Sequence, residues 1–264
     1  MYEFHTNKET YYRWQYENAR THVIPFIESV FPLQPGMQVL EVGCGEGGVL
    51  KAFVERGCQG LGVELSESRV ADAFRFNAGL VQAGRIDFQA KNIYDASFAE
   101  TFRNQFHLII LKDVIEHIPD QPRIMEQLKQ YLREDGKIFF GFPPWYMPFG
   151  GHQQLSRNKI LSKLPYYHLL PMPLYKGMLR LFGEQREVIQ GLVEVKETGI
   201  SMERFERICK RLSLRIDLRT IFFLNPIYQY KFGWKPRRQA RLLQHVPYLR
   251  DFLSTCVYYL IGKN

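Results

Sequence analysis

The segment Val39-Leu40-Glu41-Val42-Gly43-Cys44-Gly45-Glu46-Gly47-Gly48 constrains this chain more than any other. A short apolar strand ends in an acid, and alternating glycines lead from it into a helix. Glycine lets backbone pass close to a ligand and turn through positive φ without a Cβ penalty. The N–H groups at the start of the next helix favour a polar or anionic group. The segment therefore implies a strand–turn–helix unit that seats a nucleoside-like ligand.

Two ligand classes use such a turn. Residues 43–48 satisfy the dinucleotide fingerprint G-x-G-x-x-G. They also satisfy an alternating form, acid-x-Gly-x-Gly-x-Gly, through Glu41, Gly43, Gly45 and Gly47. The acid favours the second. A carboxylate two residues before the first glycine would repel a pyrophosphate but suits the ammonium end of an amino-acid ligand. A glycine-rich turn without a ligand is the third reading. A second acid, Glu64, ends the next apolar run, Gly60 to Leu65. At that strand tip a carboxylate can accept both hydroxyls of a ribose. It can equally be a helix-start acid ahead of the capping Ser66.

With Asp113-Val-Ile-Glu-His-Ile118 after a later strand, these segments resemble the class I S-adenosylmethionine-dependent methyltransferases, in their small-molecule branch similar to the quinone-biosynthesis enzymes. The resemblance spans roughly residues 36–142 and resumes in the C-terminal strands; residues 143–200 lie outside it. It implies an α/β fold with a doubly wound, mostly parallel seven-stranded sheet and an antiparallel C-terminal hairpin. It divides the chain into an N-terminal helical lid (1–35), a cofactor-binding core (36–142), an insertion or substrate cap (143–200) and a closing helix and hairpin (201–264). It further implies S-adenosyl-L-methionine as cofactor. Glu41 would hold the methionine amino end against Gly43, Cys44, Gly45 and Gly47, and Glu64 the ribose. Leu65, Asn92 and Ile93 would surround the adenine, while Lys112 and Asp113 lie near the methionine moiety. Asn92 departs from the family, where an acid is common, and accepts less strongly than a carboxylate.

The pattern along the chain agrees with this. Residues 8–31 read as one or two helices. Strands at 37–42, 60–64, 86–90, 107–111 and 137–142 alternate with helices, as a doubly wound sheet requires. Asp120 with Pro122, and Ser201, read as helix starts. The stretches 214–224 and 256–261 are β-rich and close the chain. Too few residues remain for a dehydrogenase's second domain.

At 264 residues the chain can bury a large core, and 20 Phe with 15 Tyr argue against disorder. Cys44, Cys58, Cys209 and Cys256 show no metal-ligand spacing, so no metal site is expected and a reduced, cytoplasmic compartment fits. No signal peptide is evident, and no apolar run approaches the ~20 residues of a transmembrane span. The net charge of +8 includes a cluster, Lys231, Lys235, Arg237, Arg238 and Arg241, interleaved with Phe232 and Trp234. A nucleic acid, an anionic small molecule or a membrane surface would use the same charge. Most other basic residues are spread singly along helices, so a nucleic-acid substrate is disfavoured.

The insertion, 58 residues long, is rich in Pro, Met and aromatic residues. It suits an apolar or planar small-molecule substrate, packing against the sheet, or a homodimer interface. Its Phe142-Pro-Pro-Trp145 follows the fifth strand and lacks a leading Asp or Asn, unlike the signature of amino-methylating nucleic-acid enzymes. Methyl transfer from a sulfonium is an in-line displacement that gains chiefly from positioning. An oxygen acceptor also benefits from a base. His117 and His152 are the candidates, because histidine titrates near neutrality. Asp113 or Glu116 could serve instead, or cap the next helix. O-methylation of a small apolar or aromatic molecule is thus the expected activity. An RNA or DNA methyltransferase and a non-catalytic cofactor-binding module are the alternatives.

Overall fold

The computed structural model describes residues 7–264. Among the described residues are eight strands: β1 (Gln38–Val42), β2 (Gln59–Glu64), β3 (Ile86–Ala90), β4 (Phe106–Lys112), β5 (Leu132–Phe142), β6 (Leu214–Leu224), β7 (Arg237–Arg238) and β8 (Cys256–Lys263). They form one sheet in the order β3-β2-β1-β4-β5-β8-β6-β7. Strands β1 to β5 run parallel, and β8 lies antiparallel between β5 and β6. The expected α/β sheet is present with one strand more than the seven anticipated. The extra strand is β7, whose two arginines pair with the end of β6. Two charged residues carry no strand periodicity, so only the return of the backbone alongside β6 reveals it.

Strand β4 shows why the sheet is central. Leu108 and Ile110 enter the core on one face, with Leu50, Phe53 and Phe139. Ile109 and Leu111 enter the core on the other, with Leu40, Phe140 and Phe205. A strand buried on both faces must be apolar over its buried run, as Leu108–Ile109–Ile110–Leu111 is. Each such side chain contributes on the order of 1.5–3 kcal/mol. The order of the strands reverses between β1 and β4, and in open α/β sheets ligands bind beside the carboxyl ends of strands at such a point.

The helix starts follow local chemistry. The side chains of Ser66, Asp120 and Ser201 accept from the backbone N–H groups of Arg69, Arg123 and Arg204. Three elements differ from the sequence reading. The helical stretch between β2 and β3 breaks at Asn77 into Glu67–Phe76 and Ala78–Gln82. Asn77 Nδ2 donates to Ala73 O at 2.8 Å and to Glu46 O at 3.3 Å, so its amide caps the helix end and ties it to the glycine turn. A helix at Ala96–Phe102 had no signal strong enough to read. Strand β5 begins at Leu132, opposite Phe106, and passes through an irregularity before Lys137 pairs with Leu108.

The insertion builds a small core of its own from Leu161, Tyr167, Tyr175, Leu179, Leu192 and Val193. Its helices are Met172–Leu181 and Arg186–Thr198. Among the described residues no helix is long and apolar enough to cross a membrane.

Candidate active site

A cavity of about 500 Å³ opens at the carboxyl ends of β1, β2 and β4. Glu41 and Glu64 both line it, as do Gly43, Cys44, Leu65, Asn92, Ile93, Lys112, Asp113 and His117. Gly45 and Gly47 complete the turn beneath it. Gly43, Gly45 and Gly47 have φ of 70°, 53° and 79°. A Cβ on Gly43 would sit 2.6 Å from Val114, and one on Gly47 would sit 2.6 Å from the Phe88 ring. Both conformation and space therefore require glycine there.

The two acids are held differently. Glu41 is buried and accepts from Leu50 N at 2.9 Å, which ties it to the start of helix Gly48–Glu55. Burial pushes its carboxyl up to about 8, against that hydrogen bond and the nearby Lys112. Glu64 accepts from Leu65 N at 2.9 Å, Ser66 N at 3.1 Å and Gly45 N at 3.2 Å. Backbone donors thus aim it across the glycine turn.

Arg69, which the sequence reading passed over, bridges this turn to Glu64. It donates to Glu46 at 3.2 and 3.1 Å, and its guanidinium lies 3.5 Å from Glu64 Oε2. A Cβ on Gly45 would strike that guanidinium, and Arg69 itself lines the cavity. Tyr11, Tyr12 and Gln15 of helix Lys8–Asn18 line the cavity from the N-terminal side. Tyr12 donates to Asn77 Oδ1 at 3.0 Å, joining that helix to the glycine turn through Asn77. Residues 1–6 of the expected lid lie outside the described residues. At the other end, Asn92 Oδ1 already accepts from Tyr94 N at 3.0 Å, leaving one lone pair toward the cavity.

Buried Lys112 pairs with the half-buried Asp113. Burial opposes the Lys112 ammonium, yet Asp113 raises it above its ordinary value. Burial also opposes the Asp113 carboxylate, and Lys112 nevertheless holds it low, helped by Lys231 and His152. Asp113 adopts φ of 57°, uncommon for a residue with a side chain, and its N–H donates to Gly141 O at 2.7 Å. Lys231 does not belong to the surface cluster in which the sequence placed it. It lies over the Tyr11 ring at 5.4 Å, and burial lowers it to about 8.

The two candidate bases, 35 positions apart in the chain, meet: the rings of His117 and His152 are 4.8 Å apart. Burial lowers both, His152 to about 4, while Asp113 works in the other direction. Both imidazoles are thus neutral at pH 7. Beneath them Glu116 is buried, and neither carboxylate oxygen finds a hydrogen-bond partner among the described residues. Burial, then the charge of Asp113, raises Glu116 well above its ordinary value. One donor atom from each of Glu116, His117 and His152 lies within 4.8 Å of the other two, a spacing a cation would also accept.

The insertion fixes this arrangement from outside. Thr198 Oγ1 donates to Glu116 O at 2.6 Å, and Gln121 Nε2 donates to Thr198 O. His168, fully buried, donates from Nε2 to Trp145 O at 2.8 Å and accepts at Nδ1 from Gln153 Nε2 at 2.7 Å. A Cβ on Gly151 would meet His168, and one on Gly199 would meet Trp145. The aromatic content that suggested a substrate roof is largely spent on this packing. No residue of 143–200 lines the cavity wall, and the insertion reaches it through His152 against His117.

A Rossmann-like sheet with an antiparallel strand between β5 and β6, and a glycine turn flanked by two strand-tip acids, defines the methyltransferase class of fold. The chain belongs to the methyltransferase-domain family, whose model matches residues 14–160. A ubiquinone biosynthesis O-methyltransferase of Idiomarina loihiensis is 37% identical over 106 residues, 40% of this chain and 42% of that protein. The chain thus spans under half the length of the curated relatives it matches. Among solved structures, a Pyrococcus horikoshii protein matches with TM-score 0.59 at 15% identity, over 100% of both chains. Geranyl diphosphate C-methyltransferase of Streptomyces coelicolor, in complex with Mg2+, geranyl diphosphate and S-adenosyl-L-homocysteine, matches with TM-score 0.55 at 13% identity, over 88% of this chain and 76% of that one. At such identities the likeness concerns the fold.

Proposed function

We propose that this protein transfers a methyl group from S-adenosyl-L-methionine to a hydroxyl of a small, apolar or aromatic molecule. The observation that carries the reading is the single cavity onto which Glu41 and Glu64 both open across the glycine turn. The residues fit the cofactor. Glu41 receives the amino end, with Gly43, Cys44, Gly45 and Gly47 allowing close approach. Glu64 takes the ribose hydroxyls, and Leu65, Asn92 and Ile93 border the adenine. Lys112 and Asp113 stand beside the methionine moiety. When bound, the cofactor supplies an already activated methyl group.

The chain's own contribution is positioning and proton handling. A neutral His117–His152 pair can take the acceptor's hydroxyl proton, and Asp113 stabilises the imidazolium that results. O-methylation is supported by this pair and by the naming of the curated relatives as O-methyltransferases. Titration with S-adenosylhomocysteine by calorimetry tests the cofactor site. Two charge-assisted hydrogen bonds are lost in Glu64→Ala, so affinity should drop on the order of 100-fold. An unchanged affinity removes the ribose assignment. Dialysis against EDTA tests the proton role, since turnover should persist. Loss of turnover restored by a divalent cation would transfer Glu116, His117 and His152 to a metal ion.

A further inference from the structure

Between Asp217 and Asp251 the chain has no acidic residue, and it carries Arg219, Lys231, Lys235, Arg237, Arg238, Arg241 and Arg250. The fold sorts these cations. Arg219 pairs with Glu206 at 2.6 Å, and Arg250 with Glu203 and Glu206 at 2.9 and 2.8 Å. Lys231 turns inward over Tyr11. Lys235, Arg237, Arg238 and Arg241 remain exposed and enter none of the ion pairs among the described residues. Interleaved with them are large apolar side chains that the fold leaves outside: Trp234 is 54% exposed and Leu242 86%, with Phe232 also exposed. The Phe232 and Trp234 rings lie 5.2 Å apart, and Tyr228 packs against both.

We propose that Phe232, Trp234 and Leu242, with Lys235, Arg237, Arg238 and Arg241, form a docking face for an anionic lipid surface. Aromatic and aliphatic side chains amid lysine and arginine suit the boundary between acyl chains and negatively charged headgroups. A nucleic acid would use the cations and the rings, but it offers nothing to Leu242 or to the exposed Val246 and Leu249 nearby in the chain. A second copy docking through the same face would set four cations against the same four. The position is apt. Helix Tyr228–Phe232 is held beside the N-terminal helices by Tyr230 and Thr21 hydroxyls 2.6 Å apart, and by His22 against Gln229 at 3.2 Å. Lys231 of that helix covers Tyr11, which lines the cavity. Docking here therefore sets the cavity close to a lipid phase, from which an apolar molecule can be drawn.

Co-sedimentation with vesicles tests this independently of methyl transfer. Phosphatidylcholine vesicles should leave the protein in the supernatant, whereas phosphatidylcholine mixed with phosphatidylglycerol should sediment it at low salt and release it at high salt. Each cation near an anionic surface is worth about five-fold in partitioning. Replacing Lys235, Arg237, Arg238 and Arg241 together by Gln should thus weaken it several hundred-fold, on the order of 10²–10³. Trp234→Ser should weaken it less and abolish any vesicle-induced blue shift of tryptophan fluorescence. Unchanged thermal midpoints of both variants exclude misfolding as the cause. Absence of sedimentation with anionic vesicles, equal sedimentation with neutral ones, or displacement from vesicles by an RNA oligonucleotide at equal charge concentration would overturn the proposal.

Discussion

The turn between β1 and helix Gly48–Glu55 and the insertion at 143–200 both contribute to one site, yet they are built on opposite terms. The turn is local. Glu41 reaches Leu50 N nine positions on, and the glycines are demanded first by their own φ angles, with Phe88 of β3 and Val114 after β4 closing the space around two of them. The insertion is assembled across the chain. Gln153, His168 and Trp145 lock one another, Thr198 holds the backbone of Glu116, and a separate apolar core supports them. In the proposed reading, cofactor recognition resides in a compact motif, whereas proton handling depends on distant parts agreeing in space.

The sharpest break between the two halves is expected from the histidines. Replacing His117 and His152 together by Ala should lower kcat by about 10²–10⁴-fold while leaving S-adenosylhomocysteine affinity within a few-fold. Equal losses in both measurements would mean that the halves are not separable. With single substitutions, the pH profile adds a second reading. A base must be neutral to act, and burial lowers His152 to about 4, so in His117→Ala the remaining activity should persist below the ordinary histidine range and fail only as pH drops toward about 4.

Next in size is His168→Leu, far from the cavity. It strands the Trp145 carbonyl and leaves Gln153 Nε2 with Pro148 O as its remaining acceptor, at a cost of about 1–3 kcal/mol in unfolding free energy. Urea denaturation should register that loss. Turnover should fall with it as His152 is released, and the cofactor Kd should stay unchanged.

Glu41 links the local half to pH. Its folded value, about 8, exceeds the ordinary 4.5, so the folded protein keeps a proton that the unfolded chain gives up. That contribution is complete below 4.5 and is lost as pH rises toward 8. Asp251, raised by burial to about 7, acts in the same direction. The thermal midpoint should therefore fall across this window, and Glu41→Gln should flatten the slope. An ammonium beside Glu41 favours its ionised form, so S-adenosylhomocysteine should bind more tightly as pH rises in the native protein and less steeply in Glu41→Gln. The smallest effect is expected from Asn92→Asp. A carboxylate there should strengthen the bond to an adenine amino group and lower Kd by about three- to five-fold.

Much of this was legible beforehand because it is encoded by neighbours. Periodicity marked β1 to β6 and β8, and side-chain caps at Ser66, Asp120 and Ser201 marked helix starts. What escaped notice lacked a local signal. Asn77 ends its helix because Tyr12 and Glu46, on other elements, share its amide with Ala73 of the helix itself. Arg69 was one more helix cation until the turn brought Glu46 and Glu64 to it. Strand β7 exists only because β6 is there to pair with.

The sequence by itself determined the alternation of strands and helices, the glycine turn and the two carboxylates at adjacent strand tips. Each depends on backbone preferences and spacings within a few residues or one supersecondary unit. Only the tertiary structure decided that His152 meets His117, that Lys231 leaves its basic neighbours for Tyr11, and that the insertion's aromatic residues pack inward. Those outcomes follow from burial and long-range hydrogen bonding, whose energies depend on which surfaces meet.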